Sequence, residues 1–226
     1  SDEPELTRKL LDSTHKSQEI VAVIGQIRVD SADFSEDYDR FSLYEKFRGI
    51  RFTNKTVQGI QMARNIASVN GKSANIIEIL GHWKRTMMLD GLIRDNPGVI
   101  FVIEHFGGYP FTAAPMPDAY LAFLELMASH PNTHIKLSGF MTLCPISPKP
   151  TNLEFYWPVF DACYTAFGEN RCLFGSDWPV MGDRTAYTCA VKLTRAFCRA
   201  KSVTAEERIM GENAMSLYKI GNRQTI

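Results

Sequence analysis

The feature that most constrains this chain is a regular alternation. Short apolar, β-favouring runs are separated by stretches with helical spacing. Strands are expected over 20–29, 47–52, 74–80, 99–105, 133–139 and 171–177. Helices are expected over 4–16, 57–69, 83–94, 118–129, 154–167 with a bend at Pro158, and 185–199. Two further short helices should begin near Thr204 and Asn213. Strand–helix alternation of this kind gives a parallel sheet with helices packed outside it. Right-handed crossovers leave two architectures, a doubly wound sheet or a closed barrel. No strand is followed by a Gly-rich phosphate loop, since Gly107-Gly108 is too short for one.

The bulk properties narrow the partners. The 226 residues suffice for one domain spanning 1–226. Lys plus Arg balances Asp plus Glu at 25 each, and no basic stripe interleaves with aromatics, so no nucleic-acid partner is expected. The apolar runs are strand-sized and far short of a membrane span. Ser1-Asp2-Glu3-Pro4 lacks the basic start of a signal peptide. The five cysteines are odd in number and none has C-x-x-C spacing. Reduced thiols and a cytoplasmic location are therefore expected, with Cys163, Cys172 and Cys198 as small buried hydrophobes.

Polar groups at strand ends carry the candidate chemistry. In Leu173-Phe174-Gly175-Ser176-Asp177-Trp178-Pro179-Val180, an apolar strand stops on a carboxylate. Catalytic residues occupy that place in parallel barrels, and a carboxylate that caps the next segment occupies it too. In Phe101-Val102-Ile103-Glu104-His105, strict alternation puts Phe101, Ile103 and His105 on one face, and if that face points into a barrel two apolar layers lie below a histidine at its mouth. His105 is then a structural or a catalytic histidine at the mouth. Glu104, on the other face, is expected to partner an arginine. In His134-Ile135-Lys136-Leu137-Ser138-Gly139, Lys136 and Ser138 share a face. Lys136 either snorkels or pairs with a neighbouring acid. Arg51, on the face of Gly49, either grips a substrate carboxylate or hydroxyl or forms a salt bridge on the rim. His82, after Leu80-Gly81, either contacts substrate or caps a helix.

Together these segments resemble the amidohydrolase superfamily of metal-dependent hydrolases. The nearest branch includes fuconolactonase, rhamnonolactonase and pyrone-dicarboxylate lactonase. Phe47-Arg48-Gly49-Ile50-Arg51, Ile103-Glu104-His105-Phe106-Gly107-Gly108, Ile135-Lys136-Leu137-Ser138-Gly139 and Leu173-Phe174-Gly175-Ser176-Asp177-Trp178-Pro179 carry the likeness. Gly211-Glu212-Asn213-Ala214 with Leu217-Tyr218 is similar to that branch's final helix. The resemblance implies an α/β fold, a (β/α)8 TIM-type barrel in which the six strands are the third to the eighth. Arg51 would stand on the fourth, His82 at the end of the fifth, His105 on the sixth and Asp177 on the last.

It implies a hydrolase that opens a lactone ring, with a small-molecule substrate. Asp177 and His105 would be catalytic; Arg51, His82, Ser138 and Trp178 would bind substrate. A divalent metal such as zinc would use His105 and Asp177, and a metal-free lactonase is the alternative. A decarboxylase, an amide hydrolase and an inactive binding barrel are the other readings. Family members open with a His-x-His strand. Here His15, His82, His105, His130 and His134 form no such pair. The expectation is a chain that lacks the first two strands, with exposed sheet edges prone to self-association into homo-oligomers.

Overall fold

A computed structural model of the chain describes residues 3–14, 16–54, 59–182 and 184–221. His15 and Val57, where the second expected helix begins, lie outside them. Six strands form one sheet: β1 (Val23–Gln26), β2 (Phe47–Thr53), β3 (Ile76–Leu80), β4 (Ile100–Ile103), β5 (Thr133–Leu137) and β6 (Cys172–Phe174). They lie in chain order, and every neighbouring pair is parallel. Helices connect successive strands, which gives the α/β fold expected, six strands of a barrel-type sheet with β1 and β6 at its two ends. No helix among the described residues is long and apolar enough to cross a membrane. All five cysteines are free thiols.

Parallel strands covered on both faces read as continuous apolar runs, as these do. One face carries Ile77, Ile79, Phe101, Ile103, Ile135 and Leu137, which join the main core with Tyr120, Phe123 and Phe160 of the surrounding helices. The other face is the lumen. There Ile76, Val102 and Leu173 pack on Leu217, with Ile24, Ile100 and Tyr218 alongside. The alternation in 101–105 therefore runs opposite to expectation: Phe101 and Ile103 point out to the helices, while Val102 and Glu104 point into the lumen. Glu104 lies on the Val102 face and finds its cation partners Lys136 and Arg51 in the lumen, so the wholly apolar Phe101 face packs on the helices.

Several boundaries differ from the sequence reading. The helix Asp118–Ser129 is as expected. The stretch 83–94 is two short helices, Trp83–Met87 and Asp90–Arg94. The helix Phe34–Ser42 was not read from the sequence. Its Phe34, Tyr38 and Phe41 are buried, but acidic and polar residues between them mask the pattern. β6 stops at Phe174, short of Asp177.

The terminal strands are not bare. The Thr7 hydroxyl, on the helix Glu3–Thr14, accepts from the Gln26 N–H at 2.8 Å and donates to the Gln26 carbonyl at 3.0 Å. At the other end the Asn213 amide donates to the Cys172 carbonyl at 2.8 Å. Both contacts occupy backbone groups that an edge strand otherwise offers to another chain.

Candidate active site

Beyond β4 the chain makes a left-handed turn. His105, Phe106, Gly107 and Gly108 have φ of 52°, 54°, 65° and 68°. Left-handed backbone costs a non-glycine residue roughly 1–2 kcal/mol, so tertiary contacts must hold it. The Phe106 ring lies 4.8 Å from the Phe160 ring, and the Tyr120 hydroxyl donates to the Phe106 carbonyl at 2.8 Å. The turn ends strand alternation at Glu104. For that reason His105 does not follow Phe101 and Ile103 outward.

The imidazole is held from behind. Its Nδ1 is 2.7 Å from the Ser138 hydroxyl, and its Nε2 faces Asp177 Oδ1 at 3.5 Å. Ser138, read from the sequence as a substrate contact, is buried at 1% exposure, and its hydroxyl is engaged with the histidine. Its place is behind the ring. Gly139 makes this approach feasible: a Cβ there would sit 2.8 Å from Nδ1 of His105. Burial holds the His105 pKa below its ordinary value, against the pull of Glu104 and Asp177. Burial thus favours the neutral ring.

Asp177 is also left-handed, with φ 58°. Its second oxygen, Oδ2, accepts from the Thr142 hydroxyl at 2.8 Å. Trp178 beside it is 57% exposed and meets Tyr187 edge-on, at 6.5 Å between centroids. Gly175, between β6 and Asp177, lets the chain pass Ser138, because a Cβ there would stand 2.9 Å from the Ser138 Cβ.

Below the histidine, the lumen holds a charged cluster. Lys136 Nζ lies 2.6 Å from Glu78 Oε2 and 3.1 Å from Glu104 Oε1. The Tyr218 hydroxyl donates to Glu78 Oε1. Glu104 Oε2 faces Arg51 Nη1 at 3.6 Å. Burial would lower the Lys136 pKa, but Glu78, Tyr218 and Glu104 outweigh it and hold the ammonium charged. Burial raises the Glu78 pKa, with Glu104 adding to the effect and Lys136 opposing it. Burial also pushes on Glu104, yet Lys136, Glu78, His105 and Arg51 bring its pKa below the usual carboxylate value. Both sequence expectations for this region, Lys136 paired to an acid and Glu104 to an arginine, match these contacts.

His82 stands apart. It is the N-cap of Trp83–Met87, and its Nδ1 accepts from the Lys84 N–H at 3.2 Å. Burial, then Lys84 and Arg85, lower its pKa. The capping reading accounts for these contacts. Glu78, Tyr218 and Thr142 were missed. A glutamate inside Ile76-Ile77-Glu78-Ile79-Leu80 is itself a signal, since buried carboxylates are rare unless paired. Thr142 carries no such signal.

Nε2 of His105 and Oδ1 of Asp177 are donors of the kind zinc takes, but catalytic zinc uses about three protein ligands. Among the described residues no group of three or more His, Cys, Asp or Glu gathers to hold a metal. The donor set falls short of a zinc site.

In barrels of parallel strands the active site lies beyond the carboxyl ends of the strands, and His105 and Asp177 stand there. The family model for amidohydrolases matches residues 7–220, and the chain belongs to the amidohydrolase family. An L-fucono-1,5-lactonase of Burkholderia ambifaria is 29% identical over 235 residues, covering 95% of this chain and 76% of that protein. An amidohydrolase of Burkholderia multivorans, solved with bound zinc, superposes with a TM-score of 0.82 at 22% identity, over 95% of this chain and 79% of the other. A probable 2-pyrone-4,6-dicarboxylic acid hydrolase of Acinetobacter baumannii, with citric acid bound, gives a TM-score of 0.73 at 18% identity, over 94% and 78% of the two chains.

Proposed function

We propose that this hydrolase opens the ring ester of a lactone, with Asp177 as the base that activates water. The convergence of Asp177 and His105 at 3.5 Å carries the reading. The lactonase relative from Burkholderia ambifaria supports the substrate class.

Water attacks the lactone carbonyl carbon while Asp177 takes its proton. The Thr142 hydroxyl on Oδ2 leaves Oδ1 turned toward the reacting side. With the Ser138 hydroxyl donating to Nδ1, His105 carries its proton on Nε2 and donates to the carbonyl oxygen as that oxygen gains charge. A neutral imidazole suits this donor role, and burial favours that form. The ring C–O bond then breaks, and the proton on Asp177 passes to the departing ring oxygen. The product is a hydroxy acid. Arg51 anchors a carboxylate or hydroxyl of the substrate through its planar fork, and Trp178 offers an apolar wall to the ring.

A panel of sugar lactones tests the reading, with acid release followed by a pH indicator and N-acyl amides as controls. Turnover of at least one lactone above the buffer rate is expected. Hydrolysis of the amides alone would overturn the proposal.

A further inference from the structure

We propose that Glu104 is the positioning residue for Arg51, fixed in turn by Lys136. This rests on the reading of Arg51 as the substrate anchor.

Glu104 is 4% exposed, so its carboxylate cannot rely on water. One oxygen, Oε1, is held by Lys136 at 3.1 Å. The other, Oε2, is buried with no hydrogen-bond partner and faces Arg51 Nη1 at 3.6 Å. A buried carboxylate oxygen left without a bond is costly. Its attraction to the guanidinium is what the position gains. The Arg51 side chain is 37% exposed, so its remaining donors are available at the mouth. Lys136 is in turn fixed by Glu78 at 2.6 Å, and Glu78 by the Tyr218 hydroxyl. The contacts thus run from Tyr218 to Glu78, Lys136, Glu104 and Arg51. Each member is held by the one before it. Glu104 also directly precedes His105 in the chain, so the backbone that carries this carboxylate leads straight into the histidine's turn.

The alternative is a neutral charge cluster that merely fills the lumen. The two differ in what happens to Arg51. In the first arm, ¹⁵N relaxation of the Arg51 Nε–H is measured in the wild-type chain and in Glu104→Gln. A rigid Nε–H in the wild type that becomes mobile in the variant is expected. Unchanged mobility overturns the proposal. If Glu104→Gln does not fold, Glu104→Asp withdraws the carboxylate by one methylene and keeps its charge. It must also mobilise Arg51, and an unchanged signal there overturns the proposal equally.

The second arm is a double-mutant cycle on lactone turnover. Glu104→Gln should raise KM about 10-fold with kcat within about threefold, as loss of uniform binding does. On an Arg51→Met background it should add nothing further. Equal increments in both backgrounds would make Glu104 a structural residue and overturn the proposal. If no lactone is turned over, the functional reading falls, while the relaxation arm still decides the positioning role.

Discussion

His105 and Asp177 meet at 3.5 Å, and both stand in left-handed backbone, at φ 52° and 58°. Neither is a glycine. Strained backbone of this kind persists only where the surroundings over-determine it. Here the aromatic core fixes the histidine's turn, and Thr142 binds the aspartate. The two candidate catalytic groups share this departure from ordinary geometry, and each turns its side chain out of the strand pattern toward the other.

Replacing Asp177 by Asn keeps the size and removes the base. Lactone turnover should fall by about 100-fold or more, with the circular dichroism spectrum and urea midpoint close to wild type. Turnover within a few-fold of wild type would take Asp177 out of the mechanism.

Gly139→Ala tests the packing behind the imidazole. The residue has φ 67°, and its new Cβ would stand 2.8 Å from Nδ1 of His105. Left-handed strain alone should cost about 1–2 kcal/mol of stability. Turnover should fall further than stability accounts for, because the ring must move off Ser138. Full activity in a stably folded variant would mean that the Ser138 contact is dispensable.

Lys136→Met would leave Glu78 and Glu104 buried side by side without their shared cation. Breaking a buried pair in this way costs about 3–5 kcal/mol. Two such carboxylates resist ionisation, so their folded pKa values rise above the unfolded one. Their contribution is then present at low pH and lost as pH rises. The variant should therefore close part of its deficit to wild type between pH 8 and pH 5. Urea unfolding at both pH values checks this, and a deficit that widens on acidification would refute it.

His134 on β5 has its pKa held near 4 by burial and by Arg171, below its ordinary 6.5. The unfolded chain therefore binds a proton between these values that the folded chain refuses. Stability from this group is full above about pH 6.5 and is lost as pH falls toward 4. The loss is on the order of 3 kcal/mol. His134→Gln should flatten that part of the stability–pH curve. Parallel curves for the variant and wild type would place the acid sensitivity elsewhere.

How far the sequence could be read depends on what each feature obeys. Strand positions and the parallel order follow from local apolar runs, so all six strands were legible. The face assignment at Phe101 and Ile103 failed, because alternation says which residues share a face and not which face is the lumen. His105 escaped the pattern through a left-handed turn that only the aromatic core around Phe106 stabilises, and core packing is not a local property. Ser138 could be placed near the site, but its role behind the imidazole depends on a histidine from another strand. Glu104 reads as an arginine's partner, since buried charges demand partners, while Lys136 reads as either snorkelling or paired to an acid. Their link through Glu78 to Tyr218 spans 140 residues and has no signature in either segment alone.

That long link bears on how the molecule comes together. On the ribosome Glu78 is made well before Tyr218 and Leu217. Until those two residues dock, the Glu78 carboxylate lacks its hydroxyl donor, and water has access to the lumen beneath the site. The strands that carry Glu78 and Lys136 are made earlier, but their lumen face gains its cover from Leu217 only with the helix Asn213–Leu217. The contact that completes the Glu78 end of this chain of charges is therefore among the last the growing chain can make.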